Sequence, residues 1–157
     1  MSDLVDKLGD KLRDKKWMMT SAESCTGGMI ACAMTDKAGS SSIFDRGFIT
    51  YSNESKIDML GVKAETLEQF GAVSEETAEE MVKGALKNSR ANIAVAVTGI
   101  AGPSGGSILK PVGLVYIAYG IKGGVTQSTE HKFKGSRDEI RLQTTKQALK
   151  HLINIIK

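Results

Sequence analysis

Near the start of the chain apolar residues recur at helical spacing, at Leu4, Val5, Leu8 and Leu12, with polar residues between them. Ser2 and Asp3 stand in front as caps and Lys15 and Lys16 behind, where cations suit the dipole, so the pattern predicts a first helix ending there. The period then changes. Trp17 to Ser21 is an apolar run of strand length, followed by a turn at Ser24 and a helix predicted from Cys25 to about Thr35. A polar loop, Ala38 to Ser42, leads into Ile43 to Tyr51, whose β-branched and aromatic residues predict a strand, after which Asn53 is expected to cap a short helix.

The second half of the chain continues the alternation. Ser74, with Glu75 and Glu76 behind it, opens a helix expected to reach Lys87. Ile93 to Val97 is continuously apolar, the signature of a strand buried on both faces, and stops at Thr98-Gly99. Val112 to Ile121 and Val125 to Phe133 flank Lys122-Gly123-Gly124, a hairpin signal, and the second, more polar strand belongs nearer an edge. Ser136 to Glu139 reads as a capping box for a last helix whose Leu149, Leu152, Ile153 and Ile156 face the core. Helices alternating with strands and then a hairpin predict an α/β protein, a three-layer α/β/α sandwich around a mixed, mostly parallel sheet.

Size and charge narrow the function. The chain has 157 residues, 41% hydrophobic and 25% charged, which suits a single domain with one sizeable core. Its net charge of +3, from 21 basic and 18 acidic residues, is too small and dispersed to imply nucleic acid as a partner, while a small anionic ligand fits. No stretch approaches the ~20 apolar residues of a membrane span, so we expect a soluble protein with no membrane partner. Cys25 and Cys32 are the only cysteines, which supports neither a disulfide framework nor a zinc site and fits reduced thiols in a cytoplasm.

Three loops carry candidate chemistry, and in an open α/β sheet such loops tend to gather at the C-terminal ends of the strands. The first, Ser21 to Gly28, sets Ser24 and Cys25 on a glycine-softened turn at a predicted helix start, where backbone N–H groups of Thr26, Gly27 and Gly28 could meet an oxyanion. The same residues equally make an ordinary cap and turn, and sequence alone does not choose between the hydroxyl and the thiol. In the second, Gly47 to Lys56, Lys56 falls in the first turn of the short helix; a cation there opposes the dipole, and burial would lower its pKa and make it a base, although a solvated surface lysine is the alternative. The only histidines, His131 and His151, lie among charged residues and read as surface groups, so a serine activated by lysine is the better candidate. In the third, Thr98 to Ser107, Gly102, Gly105 and Gly106 with Ser104 could cradle a phosphate or carboxylate, and Gly39, Ser40 and Ser41 could donate to the same anion. It is neither a Walker loop nor a dinucleotide fingerprint.

Ala22 to Gly28, Gly47 to Lys56 with its Thr-Tyr-Ser-Asn-Glu core, Gly71 to Ser74, and Thr98 to Pro103 with Gly105-Gly106 together resemble the CinA C-terminal-domain family, in order and through nearly the whole chain. The resemblance implies nicotinamide-nucleotide amidase activity: hydrolysis of nicotinamide mononucleotide to nicotinate mononucleotide and ammonia, a step in pyridine-nucleotide recycling, by a serine mechanism without metal or cofactor. Carried over by position, it implies Ser24 as nucleophile, Lys56 as its base and Tyr51 in the proton network. Larger relatives carry an added N-terminal domain, whose activity is not expected of these residues. Ser21 stands where the family pattern leads us to expect threonine, a conservative departure. A domain this small could complete its pocket from a second copy, so a homo-oligomer is expected. The competing reading is a non-catalytic nucleotide-binding module of the competence or damage-inducible type.

Overall fold

Ile93–Gly99 is the central strand of a five-stranded sheet. The computed structural model describes residues 1–157, in the order α1 (Ser2–Lys15), β1 (Met19–Glu23), α2 (Met29–Thr35), a 3-10 turn (Ser40–Ser42), β2 (Phe44–Ile49), α3 (Asn53–Leu60), α4 (Ala64–Phe70), α5 (Glu75–Lys87), β3 (Ile93–Gly99), β4 (Leu114–Ile121), β5 (Thr126–Lys132) and α6 (Arg137–Ile155). The strands lie in the order β2-β1-β3-β4-β5. β1 pairs in parallel with both β2 and β3, whereas β4 runs antiparallel to β3 and to β5, so four of the five strands point one way.

The central strand shows how its residues build three layers. Ile93, Val95 and Val97 pack with Leu8 and Leu12 of α1, Ile30 of α2 and Leu149 and Leu152 of α6. Ala94 and Ala96 face the other way, toward Met81, Val82 and Ala85 of α5 with Leu60 and Leu67 of α3 and α4. A strand alternates its side chains across the sheet, so a run apolar at every position needs a helical layer on each face, and gets one. The result is a three-layer α/β/α sandwich around a mixed sheet.

Several elements differ from the sequence expectation for local reasons. α1 closes on Lys16 in the left-handed region, Trp17 N–H returns to Leu12 O, and β1 therefore starts at Met19 and runs through Glu23. α2 begins at Met29, not Cys25, because Gly27 and Gly28 both have positive φ and keep residues 24–28 in a turn. Ser52, not Asn53, caps α3, its Oγ accepting from Ser55 N–H at 3.1 Å. α4 has no side-chain cap and so no start signal in sequence. β4 starts at Leu114 because Gly113, φ 94°, first turns back to donate to Ile100 O. His131 and His151 are not surface groups: their Nε2 atoms lie 3.2 Å apart around Thr129 Oγ1, and His151 stacks on Tyr119.

The connection after β1 leads toward β2, and the chain leaves β3 toward β4 on the other side. The crevice between the C-terminal ends of β1 and β3 is therefore a topological switch point, the usual ligand position of an open α/β sheet.

Candidate active site

The turn that follows β1 opens into that crevice, with Ser24 held in place by its N–H donating to Val97 O of β3 at 3.1 Å. Beyond the end of β2, Thr50 N–H donates to Glu23 O and sets the backbone that leads to α3. Lys56 lies on the first turn of this helix and is only 1% exposed. Its Nζ stands 3.1 Å from Ser24 Oγ, 2.7 Å from Thr50 O and 3.4 Å from Tyr51 O, and no carboxylate pairs with it. Burial away from water pushes its pKa below the ordinary lysine value of 10.5. A neutral amine has two N–H bonds and one lone pair. Here two neighbours are carbonyls that can only accept, and the third is a hydroxyl that can donate, which is the arrangement a base for Ser24 requires.

Cys25, next in the chain, has the opposite character. Its side chain is buried in the apolar layer with α1, α2 and α6, and desolvation pushes its thiol up to about 11. A thiol protonated at neutral pH is a poor nucleophile, and of the two side chains on this turn only the Ser24 hydroxyl is hydrogen-bonded to the Lys56 amine.

Glu23, fully buried, organises the turn from below. Its Oε1 accepts from Thr26 Oγ1 (2.7 Å), Gly28 N–H (3.2 Å) and Ile30 N–H (2.9 Å), and its Oε2 from Ser21 Oγ (3.1 Å) and Ala31 N–H (3.0 Å). The start of α2 is therefore satisfied by a carboxylate of the protein itself and is not open to an oxyanion. Gly27 N–H closes the turn onto Ser24 O. Of the expected donor trio Thr26, Gly27 and Gly28, the two glycine N–H groups are committed within the turn. The N–H groups of Cys25 and Thr26 donate to no oxygen, and these two are the donors left near Ser24.

The cavity beside Ser24 and Cys25, about 190 Å³, is walled by Lys56, Ala72, Val73, Thr98, Gly99 and Ala101, with Tyr51 and Arg137 also on its lining. Thr98 Oγ1 donates to Ala72 O, tying the end of β3 to the loop before α5. Tyr51 is 64% exposed, and its hydroxyl accepts from Arg137 Nη2 at 3.2 Å; it touches neither Ser24 nor Lys56. Only the carbonyl of Tyr51 belongs to the Lys56 network, because the chain leaves β2 with the side chain directed outward.

Matched against family models, residues 1–156 fit the CinA C-terminal domain. The chain belongs to that family. The nicotinamide-nucleotide amidohydrolase PncC of Escherichia coli K12 is 49% identical over 152 residues, covering 97% of this chain and 92% of that protein. The protein of the same name from Enterobacter agglomerans is 51% identical over 143 residues, 91% of this chain and 87% of that protein. Among solved structures, the competence/damage inducible protein CihA from Agrobacterium tumefaciens superposes with a TM-score of 0.97 at 51% identity, covering 99% of this chain and 95% of that one.

The family motifs around Ser24 and Lys56 thus come together in space, while the expected anion loops divide. Gly39, Ser40 and Ser41 precede β2 and so sit at the opposite edge of the sheet from Ser24, because parallel strands put all their starts at one edge and their ends at the other. The Ser40 hydroxyl is also spent locally, its Oγ donating to Lys37 O. The loop after β3 is at the correct edge, but only Gly99 and Ala101 reach the cavity; Ser104, Gly105 and Gly106 are exposed beyond it, and Gly102 O accepts from Arg137 Nη1 at 2.7 Å. Glu23, Arg137 and Arg141 were missed by sequence reasoning. The available signals were an acid preceding the Ser24 turn and two arginines four apart behind the Ser136 cap, which a helix places on one face.

Proposed function

We infer that this protein is a nicotinamide-nucleotide amidase that hydrolyses the carboxamide of nicotinamide mononucleotide with Ser24 as nucleophile and Lys56 as general base. The observation that carries this reading is the buried Lys56 amine 3.1 Å from Ser24 Oγ with no counter-ion, and the names of the half-identical relatives supply the substrate. Neutral Lys56 takes the Ser24 proton as Oγ bonds to the amide carbon, and the carbonyl oxygen becomes an oxyanion facing the Cys25 and Thr26 N–H groups. Lys56 then gives its proton to the departing nitrogen, the C–N bond breaks, and ammonia leaves an ester on Ser24. A water, deprotonated by Lys56, attacks this ester; the C–O bond breaks, Ser24 recovers its proton and the nicotinate product departs.

The cavity is smaller than the ~300–1,000 Å³ of sites that enclose drug-sized ligands, so it suits the pyridine amide with ribose and phosphate lying outward. Arg137, which has no carboxylate partner and lies on the lining, is the cation available to that phosphate. No helix is long and apolar enough to cross a membrane, and the free thiols Cys25 and Cys32 suit a reducing cytoplasm.

Ammonia release from nicotinamide mononucleotide tests the reading. Wild type and Cys25→Ala should turn over, while Ser24→Ala and Lys56→Ala should not. Binding without turnover by wild type would instead favour a nucleotide-binding module.

A further inference from the structure

We propose that Arg141 is a positioning residue that aims the peptide N–H of Thr26 at the oxyanion formed on Ser24, a role that rests on Ser24 being the nucleophile. Arg141 reaches across from α6 and touches the turn at two successive carbonyls: Nε donates to Cys25 O at 3.0 Å and Nη2 to Thr26 O at 3.1 Å. These are the side chain's only hydrogen bonds to the protein, and no carboxylate competes for the guanidinium. A side chain with five donors, held half-buried and spent wholly on one turn, is a fixture of that turn and not of its own helix.

The consequence follows from peptide geometry. In a trans peptide the C=O and the N–H point in opposite directions, so drawing Cys25 O toward α6 turns Thr26 N–H away from it. Drawing Thr26 O the same way turns Gly27 N–H away, onto Ser24 O, which it reaches at 3.1 Å. Glu23 fixes the Thr26 side chain through Oγ1, so both ends of this residue are held while its N–H stays uncommitted. A cation on the carbonyl also polarises the peptide and makes its N–H a stronger donor. Lysine cannot do the same, since a single ammonium lacks the planar fork that spans two neighbouring carbonyls.

The test compares wild type, Arg141→Ala and Arg141→Lys by steady-state kinetics on nicotinamide mononucleotide, by the rate at which a fluorophosphonate labels Ser24, and by thermal unfolding. The expected result for Arg141→Ala is a kcat about 100-fold lower with KM within about twofold of wild type, the signature of an interaction made in the transition state. Its pH profile should keep its inflection, because Arg141 does not touch Lys56, and added guanidinium ion at millimolar concentration should restore part of the rate. Arg141→Lys should stay impaired. A variant that folds as wild type and keeps its kcat, a loss confined to KM, or a loss that merely follows unfolding with no response to guanidinium would overturn the role. If wild type labels at Ser24 but releases no ammonia from the mononucleotide, the substrate reading fails and the labelling rates of the variants decide on Arg141. No labelling of wild type removes Ser24 as nucleophile and the proposal with it.

Discussion

Lys56 Nζ meets Ser24 Oγ at 3.1 Å inside a shell whose other polar atoms are main-chain carbonyls, not carboxylates. That combination separates a base from a structural ion pair. A counter-ion would raise the amine's pKa and hold it charged; here burial is the largest influence and acts in the other direction, outweighing the opposing pull of the Cys25 thiol.

The two thiols should react very differently. Cys25 is buried with its pKa pushed up to about 11, and Cys32 is exposed. Iodoacetamide at pH 8 is expected to alkylate Cys32 and leave Cys25 unmodified, with amidase activity retained, as read by peptide mass spectrometry alongside ammonia release. Modification of Cys25 at a comparable rate would contradict the burial described here.

Replacing Glu23 by glutamine keeps the shape and breaks the bonding. Both carboxylate oxygens accept from backbone N–H groups at the start of α2, so an amide NH2 in either place confronts at least one donor with another. The expected cost is about 1–3 kcal/mol of stability, the scale of a buried group left unsatisfied, measured from urea midpoints.

Gly84 is a glycine for reasons outside its own helix. A Cβ at this position would run into the backbone carbonyl of Leu60, the last residue of α3. In an open helix Gly→Ala is worth roughly 1 kcal/mol of stabilisation. Here Gly84→Ala should destabilise the fold and lower kcat as well, because α3 carries Lys56 one turn before the collision. Denaturation and kinetics on the same sample check both effects.

Much of this molecule is legible before folding. The Ser136–Glu139 capping box, the Ser74 cap and the apolar run at Ile93 each specify their element through contacts within a few residues, and each element forms as read. What sequence does not carry is which edge of the sheet a loop will occupy. Ser40 and Ser41 look as suited to an anion as Ser104 does, and only the parallel pairing of β1 with β2 removes them from the site. Glu23 and Arg141 escape notice for the same reason: one is defined by the donors that converge on it, the other by a turn 115 residues distant. Lys56 was half visible, since its place on α3 could be read but its burial could not.

The depressed Lys56 pKa also has a stability consequence. The unfolded chain binds this proton more tightly than the folded one, so folding stability attributable to Lys56 rises with pH between the folded pKa and 10.5, and the penalty is full below the folded value. Relative to wild type, Lys56→Met should therefore fare best at neutral pH, with its advantage shrinking as pH approaches 10.5. Urea midpoints of both proteins across that range give the sign directly.

Titration of the Lys56 amine itself, by carbon-detected NMR of the Lys56 side chain in parallel with the pH dependence of kcat/KM, bears most directly on the mechanism. The account predicts an amine pKa below 10.5 that coincides with the rising limb of the rate. An amine that titrates at 10.5 or above, or a rate whose limb survives in Lys56→Ala, would contradict it.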